Sequence, residues 1–94
     1  MIDAKSIKHR GLAELYKTGG SRRVGQNLVD RVVEDMTILD SITSLNELRT
    51  LNVGLHQLKG TRRGTWAIDV NGPWRLTFKF KEGTVYDLTL EQYH

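Results

Sequence analysis

Residues 65–90 read TWAIDVNGPWRLTFKFKEGTVYDLTL, and their apolar positions recur with a period of two. Trp66, Ile68 and Val70 fall on one side of an extended strand, and Trp74, Leu76, Phe78 and Phe80 on one side of the next, because successive strand side chains point to opposite faces. Asn71-Gly72 between them is a hairpin signal. A two-residue loop pairs Ile68 with Arg75 and sets an apolar face beside a polar one. A three-residue loop that takes in Pro73 instead pairs Val70 with Trp74, Ile68 with Leu76 and Trp66 with Phe78. That register is the expected one, and it keeps Pro73, which lacks an N–H, out of the ladder.

The same reasoning at Glu82-Gly83-Thr84 gives a second three-residue loop, pairing Phe80 with Tyr86, Phe78 with Leu88 and Leu76 with Leu90. The opposite face then carries Arg75 across from Glu91, Thr77 across from Thr89, and Lys79 across from Asp87. These pairs are favourable and neutralise part of the basic charge within the sheet. Trp66 and Trp74 alternate with core positions and read as core residues rather than base-stacking platforms.

Upstream the period changes. Ile2–Ile7 reads as a short strand with Ile2, Ala4 and Ile7 inward. Leu12, Leu15 and Tyr16 predict a helix over 11–17, stopped by Thr18-Gly19-Gly20. Ser21 is placed to cap the next helix, where Val24, Leu28, Val29, Val32, Val33, Met36 and Leu39 form a stripe that only a helix gathers on one side. Arg22, Arg23 and Arg31 stay on its wet side, as a solvated face or as phosphate contacts. Ser44-Leu45-Asn46-Glu47 has capping-box spacing and predicts a third helix ending near Thr50. The expected fold is α+β: one domain over residues 1–94, with an N-terminal helical hairpin packed on one face of a small antiparallel sheet and the polar face open.

Fourteen Lys and Arg against eleven Asp and Glu give a net charge of +3. The clustering says more than the total, since Lys59, Arg62, Arg63, Arg75, Lys79 and Lys81 fall within one short segment, as on a basic face. The absence of cysteine excludes disulfides, thiolate zinc sites and thiol nucleophiles. His9, His56 and His94 lie far apart without metal-ligand spacing, so no metal or other cofactor is expected. The opening MIDAKSIKHRGL lacks a signal peptide's apolar core and no run reaches membrane-spanning length, so a soluble cytoplasmic protein is expected.

The chemistry-bearing residues gather around GLHQLKGTRRGTWAIDVNGPWR, residues 54–75. His56 and Lys59 stand three apart, just ahead of the glycine-bounded loop Gly60-Thr61-Arg62-Arg63-Gly64. Lysine offers a compact charge to a phosphate, and imidazole takes or gives a proton near neutral pH. The alternative for this pair is an ordinary surface loop. Arg75 suits bidentate phosphate binding, or a cross-strand ion pair with Glu91. Tyr93 and His94 set an aromatic ring beside an imidazole, fit for stacking on a base and handling a proton, or simply for a frayed tail.

The motifs LHQLKG, GTW and VNGPWRLTF, with the opening KSIKHRGLAELYKTG and the closing YH, resemble the HigB toxins of the RelE superfamily over nearly the whole chain. The resemblance implies a RelE-like fold and metal-independent cleavage of messenger RNA in the ribosomal decoding site. It also implies inhibition by a HigA antitoxin whose helix-turn-helix binds operator DNA. By position, His56, Lys59, Arg75, Tyr93 and His94 match the family's catalytic residues, and Arg62, Arg63, Lys79 and Gln92 are expected to contact RNA. The family often has Asp where this chain has Gln92. The remaining acidic candidate is Glu91, which alternation turns to the other side of the strand.

Overall fold

Three strands carry the frame. In the computed structural model, which describes residues 1–92, β2 (Trp66–Asn71), β3 (Trp74–Lys81) and β4 (Thr84–Gln92) pair antiparallel in chain order. A two-residue strand β1 (His56–Gln57), not foreseen from the sequence, joins the outer edge of β2. The middle of each hairpin has the expected register: Trp66 faces Phe78, Ile68 faces Leu76, Leu76 faces Leu90, Thr77 faces Thr89, and Arg75 faces Glu91.

The hairpin ends differ from expectation. Asn71, not Val70, pairs with Trp74, leaving a two-residue loop, with Gly72 at φ 56, and a bulge at Val70. At the second turn Lys81 pairs with Thr84, Phe80 with Val85 and Lys79 with Tyr86, so the loop is Glu82-Gly83 at φ 51 and 80. The compensating bulge holds Asp87 at φ 55. Both corrections have one cause. A two-residue loop plus one bulged residue gives the same register beyond the bulge as a three-residue loop. At the second turn the consecutive positive φ values of Glu82 and Gly83 are those of a type I′ turn, which follows the strand twist; at the first only Gly72 is positive, because the Pro73 ring fixes its φ negative. Val85 thereby takes the buried place opposite Phe80 that alternation had given to Tyr86.

Helix α1 (Arg10–Thr18) starts at His9, whose Nδ1 accepts the Leu12 N–H at 3.2 Å, and stops at left-handed Gly19, whose N–H donates to the Leu15 carbonyl. Helix α2 (Gln26–Ser41) buries Leu28, Val32, Met36 and Leu39, while Val33 stays exposed. Ser21 does not cap it; Gly25 is the residue before its first turn. The Ser21 hydroxyl accepts the Arg23 N–H at 3.0 Å instead, a local turn that competes with helix initiation. In α3 (Asn46–Arg49) Glu47 reaches back to the N–H groups of Thr43 and Ser44, the acidic half of a capping box.

The N-terminal segment is not a regular strand. Ile2 makes an isolated bridge to Val85 and residues 4–6 form a 3₁₀ turn. The segment is nonetheless stitched along the edge of β4, through Asp3 N–H to Val85 O, Asp87 N–H to Ser6 Oγ, and Lys8 N–H to Leu88 O. It covers an edge that would otherwise offer unpaired backbone groups.

One sheet face buries Ile68, Leu76, Phe78, Val85 and Leu88 beneath Leu12, Val32, Leu39 and Leu48, the α+β arrangement expected. Trp66 and Trp74 are half-buried at its margin, with the Arg49 guanidinium 5.9 Å from the Trp66 ring centre. Among the described residues no helix is long and apolar enough to cross a membrane.

Candidate functional site

The face turned away from the helices is built in rows. His56, Ala67, Thr77 and Thr89 form one row, one residue from each strand, and Asp69, Arg75 and Glu91 form the next. The chain leaving β1 returns over this face through a 3₁₀ turn, Gly60–Arg62. Thr77 is consequently only 1% exposed although it faces away from the core.

His56 is held by its Nδ1, 3.0 Å from the Gly54 carbonyl. A carbonyl only accepts, so Nδ1 carries the hydrogen and the basic lone pair of the neutral ring is at Nε2. Gly54 has φ 70, and a Cβ there would stand 2.3 Å from the Asp69 carboxylate. Only glycine lets the two segments approach so closely. The approach matters because Asp69 Oδ1 lies 2.8 Å from Arg75 Nε. The Nε–H is off-line for a hydrogen bond to it, so this contact is electrostatic. Arg75 Nη1 donates to the carbonyls of Gly72 at 2.6 Å and Trp74 at 2.9 Å. Three contacts thus fix the guanidinium beside the first hairpin turn.

The cross-strand ion pair between Arg75 and Glu91 does not form, although the two are register partners. Glu91 is taken by Arg62, which forks onto both carboxylate oxygens at 2.6 and 2.8 Å. The Thr77 hydroxyl donates to the same carboxylate at 2.6 Å. The Arg62 hydrogen bond, helped by Thr77, holds the Glu91 carboxyl below the usual range. Arg62, expected to contact RNA, is therefore engaged within the protein.

Lys59 is exposed immediately before the 3₁₀ turn, and its ammonium has no ion-pair partner among the described residues. Arg63 follows the turn, also exposed. Lys79 and Arg63 join Lys8, Arg62, Thr65, Thr77, Asp87 and Thr89 around a hollow of about 230 Å³ on this face. Gln92 is exposed at the end of β4 opposite Trp74, on the other side of the strand from Glu91. Tyr93 and His94 lie outside the described residues. Among the described residues no group of three or more His, Asp or Glu is arranged to hold a metal ion.

The structure thus brings His56, Arg75, Arg62, Arg63 and Lys79 to one sheet face and leaves Gln92 on the other. Two further carboxylates, Asp69 and Asp87, organise the site. Asp69 was legible, because the register that pairs Ile68 with Leu76 also sets Asp69 opposite Arg75. Asp87 is expected across from Lys79, and its carboxylate does lie 4.0 Å from Lys79 Nζ, although the bulge makes Tyr86 the register partner of Lys79.

Residues 5–94 match the model of the HigB-like toxins, described as the RelE-like toxin of the type II toxin-antitoxin system HigB. The chain is also similar to the Endoribonuclease HigB of Proteus vulgaris, at 41% identity over 90 residues that span 96% of this chain and 98% of that one. The family match and the relative each cover nearly the whole chain. The chain belongs to the HigB-like toxins, RelE-like toxins of type II toxin-antitoxin systems, and its partner is accordingly a type II antitoxin.

Proposed function

We propose that this protein is a ribosome-dependent messenger RNA endoribonuclease that works in the cytoplasm without a metal, cutting in the ribosomal A site and thereby stopping translation. The observation that carries the reading is the placement of Arg75 and His56 in adjacent rows of one open, basic sheet face, in a chain similar to an endoribonuclease.

The reaction is attack of an RNA 2′-oxygen on the adjacent phosphorus. A base removes the 2′-hydroxyl proton, the new P–O bond forms as the bond to the 5′-oxygen breaks, and an acid protonates that leaving oxygen. The products are a 2′,3′-cyclic phosphate and a 5′-hydroxyl. Lys59 and Arg75 stabilise the extra negative charge of the pentacoordinate phosphorus. His56 and His94 share the two proton transfers, and Tyr93 orients the nucleotide. Arg63 and Lys79 hold the rest of the RNA on this face, while Arg62 anchors the loop through Glu91. The ribosome supplies alignment of the 2′-oxygen with the scissile bond, a large part of the rate. The antitoxin is of HigA type, and operator DNA is met only through its helix-turn-helix.

Primer extension on messenger held by purified ribosomes tests this. Cleavage within the A-site codon, absent with Arg75→Ala and His94→Ala, is the expected result. A messenger left whole by wild-type protein that still binds ribosomes would mean a fold kept for binding alone, and Gln92→Asp is then the first variant to assay.

A further inference from the structure

The residues assigned above leave unexplained the edge of the open face where the N-terminal segment meets β4. The Lys8 N–H is bonded to the Leu88 carbonyl at 2.8 Å, which fixes where Lys8 enters the face. Asp87, at φ 55 in the β4 bulge, donates its N–H to Ser6 Oγ at 2.9 Å and places its carboxylate near two ammonium groups. Lys8 Nζ is 3.9 Å away and Lys79 Nζ 4.0 Å. These distances are too long for hydrogen bonds. The lysine side chains are 62% and 44% exposed, so the pairs are loose and contribute little to stability. Two lysines from opposite ends of the chain are gathered around one carboxylate without being consumed by it.

They stand at the rim of the hollow already described, with Arg62, Arg63, Thr65, Thr77 and Thr89 on its other sides. Four cations and one carboxylate line it, and Glu91, which pairs with Arg62, still leaves an excess of two positive charges. The Thr89 hydroxyl has no hydrogen-bond partner among the described residues. Ammonium groups, a guanidinium and a hydroxyl around a shallow polar hollow suit an oxyanion with several acceptor oxygens. Lys79 is four residues from Arg75 along β3, about 13 Å at the rise of a strand. A single phosphate therefore does not reach both.

We propose that this hollow is a second phosphodiester subsite, in which Lys8 and Lys79 hold a backbone phosphate of the RNA other than the one at Arg75. The assignment rests on the endoribonuclease reading and adds to it a residue from the N-terminal segment and a function for Asp87. Asp87 keeps both ammonium groups beside the hollow. When a phosphate enters, each lysine exchanges a contact near 4 Å for a direct charge-assisted hydrogen bond.

The test is binding to ribosomes programmed with a messenger whose A-site codon is 2′-O-methylated and so cannot be cut, across a series of salt concentrations. Lys8→Gln and Lys79→Gln are each expected to flatten the plot of log affinity against log salt by about 0.7, the change for one phosphate contact on a single strand. Replacing one phosphodiester beside the scissile position by an uncharged methylphosphonate should weaken wild-type binding and leave the Lys8→Gln/Lys79→Gln double variant unaffected. Equal salt slopes for wild type and both variants, with the same methylphosphonate penalty in wild type and double variant, would overturn the subsite. Wild-type protein that neither binds these ribosomes nor cuts unmodified messenger would instead remove the endoribonuclease reading, and this subsite with it.

Discussion

Arg62 grips Glu91 with both arms of its guanidinium, at 2.6 and 2.8 Å, across a sheet face on which Arg75 is the strand partner of Glu91. The consequence is a loop anchored at its middle. Its ends are glycines at φ 69 and 92 with open space around them, and the contact adds a side-chain tether to a loop closed by the Leu58 N–H to Thr65 O and Arg63 N–H to Gly60 O hydrogen bonds, just beyond Lys59.

Glu91→Gln keeps the shape and removes the charge. The carboxylate is partly exposed, so the stability lost should be small, about 1 kcal/mol or less after solvent screening. Activity should fall further, about tenfold, because a displaced cation stabilises the reacting phosphate poorly. Comparing denaturant midpoints with cleavage rates separates the two, and equal losses in both would reject a positioning effect. The Glu91 carboxyl is held below its ordinary range, so the ion pair's stabilisation is present above the unfolded value near 4.3 and disappears as the pH falls through the lower folded value.

Gly54→Ala should act on Arg75 without touching it. The added methyl meets the Asp69 carboxylate and also strains a φ of 70. Roughly 1–2 kcal/mol of stability should be lost to the left-handed backbone alone. Displacing Asp69 also releases Arg75 Nε, so cleavage should drop more than in an Asp69→Asn variant, which keeps the local packing. A Gly54→Ala protein with wild-type cleavage would show that Arg75 needs no such support.

The sheet was legible because its apolar alternation is unbroken, and the summed effect of loop and bulge leaves the inner register unchanged. What the pattern does not encode is where the extra residue goes. Val70 and Asp87 absorb it within the strands, and Asp87 is turned toward two lysines as a result. Likewise the register identified Arg75 and Glu91 as opposite, but long side chains choose partners by reach. Arg62 arrives from a loop that periodicity cannot place. The helix stripe in α2 is plain in the sequence, whereas the Ser21 hydroxyl serves a turn rather than the helix that follows it.

His9 caps α1 through its ring nitrogen, a task usually given to Ser, Thr, Asp or Asn. The ring must be neutral to accept the Leu12 N–H, and burial lowers the pKa from its ordinary value. The folded state thus disfavours protonation, and the cap's contribution is lost as the pH falls below the unfolded value near 6.5. His9→Ala should cost about 1 kcal/mol at pH 7.5. His9→Asn should retain most of that and lose the pH dependence. If thermal melts of wild type and His9→Asn shift in parallel between pH 7.5 and 5.5, the imidazole is not the cap's titrating group.

Asp35 should make the protein less stable at neutral pH than at pH 5, the reverse of an ordinary carboxylate. It is fully buried in α2, with Oδ1 3.1 Å from Arg31 Nε and Oδ2 without a hydrogen bond. Burial pushes its pKa up to about 6; Arg31 opposes the shift, while Glu34 and Asp69 add to it. Between the unfolded value near 3.9 and the folded value the native state binds the proton more tightly, so this group's contribution falls as pH rises and levels off above the folded value. The full span corresponds to roughly 3 kcal/mol at 1.36 kcal/mol per unit. Asn mimics the protonated acid, so Asp35→Asn should match wild type near pH 4 and exceed it at pH 7. The difference in urea midpoints between the two proteins, followed from pH 4 to 7, isolates this group from the other carboxylates. A difference that stays constant over that range would mean Asp35 is ionised throughout, with Arg31 outweighing the cost of burial.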